Sequence, residues 1–270
     1  MNPPPGPPAP LDDVNLPRLG RYQARRLLGS GGSGTVYAAV DLVSGSKVAL
    51  KVLSHGDHLH TEARERFLRE AQLAAAVKCP HVVEYLDVGN QGDVLYLATE
   101  LLGGGDAHQL SLRYSTGLPV IMAAAIGRDC ARGLAAIHAA GLIHRDVKPS
   151  NIFLGTTGIA KLGDLGLARS LATPSSLTAH GNLVGTPDFM APEQAMASEH
   201  VDHRADLYAL AASIFFLVAG RPPHIGHSAW GVLAQLINEP FPDPRQLRPD
   251  LSPTFAHVML KAGAKDPAKR

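Results

Sequence analysis

Residues 144–151 read His144-Arg145-Asp146-Val147-Lys148-Pro149-Ser150-Asn151. These eight positions hold a carboxylate able to take a proton, an ammonium group two residues on and an amide oxygen three beyond that. A second octet, Lys161-Leu162-Gly163-Asp164-Leu165-Gly166-Leu167-Ala168, follows with its own acid. Polar residues in fixed order between apolar stretches are a poor fit to a solvated loop. Together the two octets can supply a proton acceptor, a cation and oxygen ligands for a hard divalent ion, which are the parts that phosphoryl transfer needs.

The upstream sequence narrows the fold. A strand pattern at Tyr22–Leu28 runs into Gly29-Ser30-Gly31-Gly32-Ser33-Gly34-Thr35-Val36. Glycines there let a turn bring backbone N–H groups against phosphates with no side chains in the way. The same glycine spacing opens dinucleotide-binding folds, but those continue into a helix. This chain continues into a strand, Thr35–Asp41, a turn at Ser44-Gly45 and a third strand, Lys47–Leu53. Lys51 lies in the apolar run Val48-Ala49-Leu50-Lys51, where an unpaired ammonium is expensive. It needs an anion, and nucleotide phosphate plus a Glu would serve. Thr61–Val77 has helical periodicity, with Phe67, Leu68, Ala71, Ala74 and Ala75 on one side.

The His-Arg-Asp-x-Lys-Pro-x-Asn string closely resembles the catalytic loop of eukaryotic-like (Hanks-type) serine/threonine protein kinases. Lys148 and Pro149 are similar to the serine/threonine rather than the tyrosine branch. Seven family-like motifs follow one another in the right order over about residues 22–270. The resemblance implies an α+β, bilobal protein kinase fold: a small antiparallel-sheet N-lobe with one main helix (about 20–100) and a larger, mainly helical C-lobe (about 103–270). Residues 1–19, Pro-rich and unpatterned, are expected to be a disordered tail. Relatives carry one more helix beyond the position of Arg270, so the last helix is expected to be missing.

The resemblance also assigns roles. Asp146 is the base or orienting group, and Lys148 neutralises the transferred phosphoryl. Asn151 and Asp164 hold magnesium. Lys51 is held at the phosphates by Glu70. The nucleotide is expected against Leu28, Gly29, Ser30, Gly31, Gly32, Ser33, Gly34, Val36, Ala49, Lys51, Thr99, Glu100, Leu102 and Phe153. Asp106 reads equally as a ribose ligand or a helix N-cap. Asp164-Leu165-Gly166 departs from the family's Asp-Phe-Gly, with Leu still filling an apolar slot. Arg145 and Arg169 are expected to meet a phosphorylated residue of the segment 166–191. The candidate acceptors are Thr173, Ser175, Ser176 and, favoured, Thr178. Thr186 is expected to contact Asp146 and Lys148. Gly185 to Glu193 resembles a protein-substrate docking loop, Asp206 holds the catalytic-loop backbone, and Arg270 pairs with Glu193.

The rest of the chain reads as strands at His81–Val88 and Asp93–Thr99, short strands at 152–154 and 160–162, and helices at Val120–Ala140, Leu207–Ala219, 226–239 and Thr254–Ala262. The inward face of the Val120 helix is expected at Ile121, Ala124, Ala125, Ala131, Leu134 and Ile137. A net charge of +1 argues for neither nucleic acid nor an anionic membrane as partner. The longest apolar run falls short of the ~20 residues of a membrane crossing. Cys79 and Cys130, the only cysteines, give neither a disulfide framework nor a zinc cluster. His55, His58 and His60 read as a polar loop. The expectation is thus a bacterial serine/threonine protein kinase using ATP and Mg2+, with Mn2+ as a substitute. It would act on Ser/Thr of proteins, self-associate for trans-autophosphorylation and be activated by it. It would work in the cytoplasm, alone or as the cytoplasmic domain of a membrane-anchored protein. The alternative is a pseudokinase-like ATP-binding scaffold, which predicts loss of Lys51, Asp146 or Asp164; none is lost.

Overall fold

The computed structural model describes residues 16–31, 34–53, 61–166, 187–196 and 201–270. The first third of the chain pairs into one antiparallel sheet ordered β1-β2-β3-β4-β6-β5. Its strands are β1 (Arg18–Leu19), β2 (Tyr22–Gly31), β3 (Gly34–Asp41), β4 (Lys47–Val52), β5 (Tyr85–Gln91) and β6 (Val94–Glu100). Between β4 and β5 lies α1 (Thr61–Ala76), which packs on β5. The β5–β6 hairpin closes with Gln91 opposite Val94, and Gly92 takes the positive φ of +59° that the two-residue turn demands.

Two boundaries differ from the sequence reading. Ordered structure starts before residue 20: Leu19 is buried, Arg18 and Leu19 pair with β2, and the Ala24 N–H donates to the Pro17 carbonyl at 3.1 Å. The free edge of β2 supplies those backbone partners. The strand expected from His81 begins at Tyr85 instead. Residues 81–83 seat on the far lobe, with the Val83 N–H donating to Leu162 O at 2.8 Å and the Leu162 N–H donating to His81 O at 2.9 Å.

The larger lobe holds α2 (Ala107–Ser111), α3 (Val120–Ala139), the ribbon β7 (Ile152–Leu154) and β8 (Ala160–Leu162), then α4 (Pro192–Ala195), α5 (Arg204–Ala219), α6 (Ala229–Asn238) and α7 (Pro253–Ala262). Helix α5 is its axis. It is apolar all round and correspondingly buried all round, from Ala205 to Val218, with α3 and α7 against it. It stops at Gly220, whose left-handed φ of +71° suits a residue without a Cβ. The inward face of α3 is Ala123, Ile126, Cys130, Gly133, Leu134 and Ile137, whereas Ile121 is 79% exposed and Ala131 is exposed. In so Ala-rich a helix, methyl groups on every side blur the periodicity, and only Leu134 and Ile137 of the expected face are buried.

One core cluster passes between the lobes. It runs from Phe67, Ala71 and Ala74 of α1 through Tyr85 and Leu97 of the sheet to Ile137, Leu162 and Leu165. A smaller cluster of Tyr22, Val48, Leu50, Tyr96 and Ala98 is separate from it. Burying a side chain such as Phe67 contributes about 2 kcal/mol, so the bridge between lobes is hydrophobic first and polar second.

The far end of the larger lobe is fastened by charge. Arg270 donates to both carboxylate oxygens of Glu193, at 2.5 and 2.8 Å, and to the backbone carbonyls of Arg204, Ala264 and Lys265. The Arg270 side chain is fully buried. Removing Glu193 would strand this guanidinium, so Glu193→Ala is expected to cost about 3–5 kcal/mol. Urea denaturation with an unchanged m-value checks this; a loss under about 1 kcal/mol is the figure for a merely solvated pair.

Candidate active site

The catalytic-loop segment 142–148 has no regular secondary structure, so other elements must fix it. Asp206, in the first turn of α5 and 1% exposed, does much of this. Its Oδ2 accepts the His144 N–H at 2.8 Å and its Oδ1 the Arg145 N–H at 2.8 Å. The His138 Nε2 of α3 donates to Oδ2 at 2.8 Å. The two donated amides flank a turn in which Arg145 takes a φ of +64°, unusual for a residue with a Cβ. The Arg145 carbonyl also accepts from Gln194 Nε2 at 3.4 Å.

Beyond this turn the polar groups converge. Lys148 Nζ lies 2.8 Å from Asp146 Oδ2. Asn151 Nδ2 donates to Asp146 O at 2.8 Å and to Asp146 Oδ2 at 2.9 Å. The Gly163 N–H donates to Asn151 O at 3.0 Å, which brings the second octet alongside the first. Asp164 follows with a φ of +53°, and its Oδ1 is 2.9 Å from Lys51 Nζ of β4. Lys51, Asp146, Lys148, Asn151 and Asp164 therefore line one crevice between the sheet and the helical lobe.

Glu70 does not join them. The expected Lys51–Glu70 ion pair is absent among the described residues, and Lys51 takes Asp164 as its anion instead. Helix α1 packs on β5, and Lys51 lies within ion-pair distance of Asp164 and not of Glu70.

The residues expected to meet the nucleotide lie on β2, β3, β4, β6 and β7 and in the connection between the lobes. Leu28, Gly29, Ser30 and Gly31 end β2; Gly34 and Val36 begin β3 opposite them. Gly32 and Ser33 lie outside the described residues. A Cβ at Gly29 or Gly31 would meet nothing within 4 Å, so the fold's own packing does not require glycine there. Gly34 differs: its φ is +134° and a Cβ would collide with the Val52 carbonyl. Ala49 and Thr99 are directly paired across β4 and β6. Glu100 is engaged by the protein itself, accepting from Lys161 Nζ at 2.5 Å and from the Glu84 N–H at 2.8 Å. The next connecting residues, Leu101 and Leu102, are half-buried. The Leu102 N–H donates to nothing among the described residues. Asp106 caps α2, accepting the Gln109 N–H at 2.8 Å, which favours the capping reading of its carboxylate. Phe153 bridges to Asp106 and lies over Gly163, where a Cβ would strike its ring. Arg169, Thr173, Ser175, Ser176, Thr178 and Thr186 fall outside the described residues.

The donor set suits a hard divalent cation. Asn151 spends its Nδ2 on Asp146, and its Oδ1 accepts no hydrogen bond among the described residues. Asp164 spends Oδ1 on Lys51, and its Oδ2 is likewise unclaimed. An amide oxygen and a carboxylate oxygen are magnesium-type ligands that substrate phosphates would complete. No group of three or more His, Cys, Asp or Glu side chains that could cage a metal occurs among the described residues.

Sequence reasoning missed two members of this region. Tyr85 accepts the Leu165 N–H at 3.0 Å, and His138 braces Asp206. Both read as ordinary core or helix residues in the sequence, and no local pattern marks them.

A six-stranded sheet over a helical lobe brings together two ammonium groups, two carboxylates and an amide, a set able to meet phosphates and a divalent ion. The protein kinase domain family matches residues 22–270, and the chain belongs to it. It is 39% identical over 253 residues to the DNA damage-responsive serine/threonine-protein kinase RqkA of Deinococcus radiodurans, a match covering 93% of this chain and 37% of that protein. It is 39% identical to the serine/threonine-protein kinase PknD of Mycobacterium tuberculosis, covering 94% of this chain and 38% of PknD. The crystal structure of the M. tuberculosis PknI kinase domain superposes with a TM-score of 0.75 at 32% identity, covering 96% of this chain and 94% of that one. The chain spans less than half the length of the curated relatives it matches.

Burial also sets a pH dependence. His144 is fully buried, and desolvation pulls its imidazole below the usual 6.5 against the opposing pull of Asp206 and Asp146. Its Nε2–H donates to Gly163 O at 3.1 Å, which the neutral ring satisfies. Burial lowers His224 likewise. The unfolded chain then binds more protons than the native one below pH 6.5. Stability is full above that value and falls as the pH drops, by about 1.4 kcal/mol per pH unit for each proton. Unfolding free energy measured between pH 7.5 and 5.5 is expected to decline, with a shallower slope in His144→Phe; a flat profile contradicts the assignment.

Proposed function

We propose that this chain is the catalytic domain of a serine/threonine protein kinase, transferring the γ-phosphoryl group of ATP to Ser or Thr hydroxyls of proteins. The observation that supports the reading is the pairing of Lys51 with Asp164 and of Lys148 and Asn151 with Asp146, the two groups joined by the Gly163 N–H on Asn151 O. In this reading Lys51 holds the non-transferred phosphates. Asn151 Oδ1 and Asp164 would hold the divalent ion, Mg2+ first and Mn2+ as a substitute, which supplies charge neutralisation on the phosphates. Asp146 orients the attacking hydroxyl and accepts its proton, and Lys148 offsets charge on the migrating phosphoryl. The transition state is loose, so positioning and charge supply most of the rate.

Adenine would sit between Ala49 and Phe153, its edge meeting the unused Leu102 N–H. The open space at Gly29 and Gly31 suits a backbone that must approach phosphates closely. Glu70 would join Lys51 on closure of α1, with Lys51 then shared between carboxylates and phosphates. A protein rather than a small-molecule acceptor is favoured by the segment 187–193, moored through Glu193 to Arg270. Phosphorylation at Thr178, Thr173, Ser175 or Ser176, read by Arg145 and Arg169, is the proposed activating event, and self-association the proposed route to it. No helix among the described residues is long and apolar enough to cross a membrane; the cytoplasm, where ATP is abundant, is the proposed site of action.

Transfer of labelled phosphate from Mg–ATP to the chain itself and to a generic basic protein tests this. Asp146→Asn is expected to lower kcat by about a hundredfold or more while nucleotide binding persists. Equal activity in that variant, or transfer only to small-molecule acceptors, would contradict the assignment.

A further inference from the structure

The segment that carries Asp164 is tied down by four hydrogen bonds. The Gly163 N–H donates to Asn151 O, the His144 Nε2–H to Gly163 O, and the Gly166 N–H to His144 O at 2.8 Å. All three come from the catalytic-loop side of the cleft. The fourth does not. The Leu165 N–H donates to the phenol oxygen of Tyr85 at 3.0 Å, and Tyr85 stands on β5 in the other lobe, 80 residues earlier in the chain.

Asp164 has a left-handed backbone, a conformation that a residue with a Cβ keeps only when its surroundings over-determine it. The four ties bracket it on both sides. Tyr85 fixes the peptide that directly follows, and its ring is 4% exposed, packed in the cluster that contains Ala74, Leu97 and Leu165. A phenol in that place is not needed for packing, since an aromatic hydrocarbon would fill the same volume. What the hydroxyl adds is an acceptor for one buried N–H that otherwise faces an apolar cluster.

We propose that Tyr85 is a positioning residue for phosphoryl transfer: its hydroxyl holds the Asp164–Leu165 peptide so that the Asp164 carboxylate faces the divalent ion. The inference rests on the kinase reading of the crevice. It makes the small lobe a participant in metal binding, through a strand that contributes no ligand.

The test is Tyr85→Phe, which keeps the ring and removes the acceptor. Binding of a non-hydrolysable ATP analogue is measured by calorimetry, in EDTA and across a Mg2+ titration, in the wild-type chain and the variant. The expected result is an unchanged metal-free Kd and a rise of about three- to tenfold in the Mg2+ concentration for half-maximal tightening, the size of one net hydrogen bond. Turnover in the variant should recover at excess Mg2+. A Mg2+ titration that superimposes on the wild type would overturn the proposal and leave Tyr85 a packing residue. Tyr85→Leu separates the two roles further, since it loses packing as well as the acceptor and should lower the urea midpoint more than Tyr85→Phe. Failure of the wild-type chain to bind the Mg2+–nucleotide at all would instead refute the kinase reading, and the role of Tyr85 with it.

Discussion

The Asp206 carboxylate is the constraint on which the site depends. A charge at the head of a helix buried on every side is costly unless each oxygen is used. Here the oxygens take two consecutive backbone N–H groups of the catalytic loop and one imidazole. The buried axial helix of the larger lobe is thereby joined to a segment without regular secondary structure. Asp146 follows directly on the amides that Asp206 holds, so its position is inherited from the core and not from the loop's own propensities.

From there the order passes outward. Asn151 ties Asp146 to the strand that leads to Asp164, and Asp164 meets Lys51 across the cleft. Arg145 and Asp164, the two non-glycine residues with positive φ among the described residues, stand at either end of this relay. Strained backbone held by buried hydrogen bonds is how a fold keeps a few side chains in one geometry. The cost is met by the hydrophobic bridge through α1, Tyr85 and Leu162, and by the Glu193–Arg270 mooring below.

Much of this was legible in the sequence, for a physical reason. Phosphate and metal chemistry permits few side chains, and a loop of eight residues fixes their spacing, so Asp146, Lys148, Asn151 and Asp164 could be named before any fold was known. Asp206 was legible because a charge at the head of an apolar helix demands partners, whereas the pairing of Arg270 with Glu193 came from the resemblance alone. What was not legible depends on how elements pack. The partner of Lys51 is a contact between lobes, with Asp164, that no local pattern states. The buried face of α3 is hidden by alanines that satisfy several phases at once. The joining of Arg18 and Leu19 to the sheet depends on an unpaired strand edge that no local pattern announces, and Tyr85 reads as one more core aromatic until the Leu165 amide is seen beside it.

The most direct measurement is amide hydrogen exchange at His144 and Arg145 in Asp206→Asn. The amide can present only one oxygen and turns an NH2 toward a donor, so one clamp bond is lost and the other disturbed while the helix keeps its shape. The account predicts that these two amides exchange faster by about tenfold or more, the equivalent of about 1.4 kcal/mol, with the interior of α5 unchanged. Unaltered protection at His144 and Arg145, or an equal loss across all of α5, would contradict the claim that this carboxylate sets the catalytic loop.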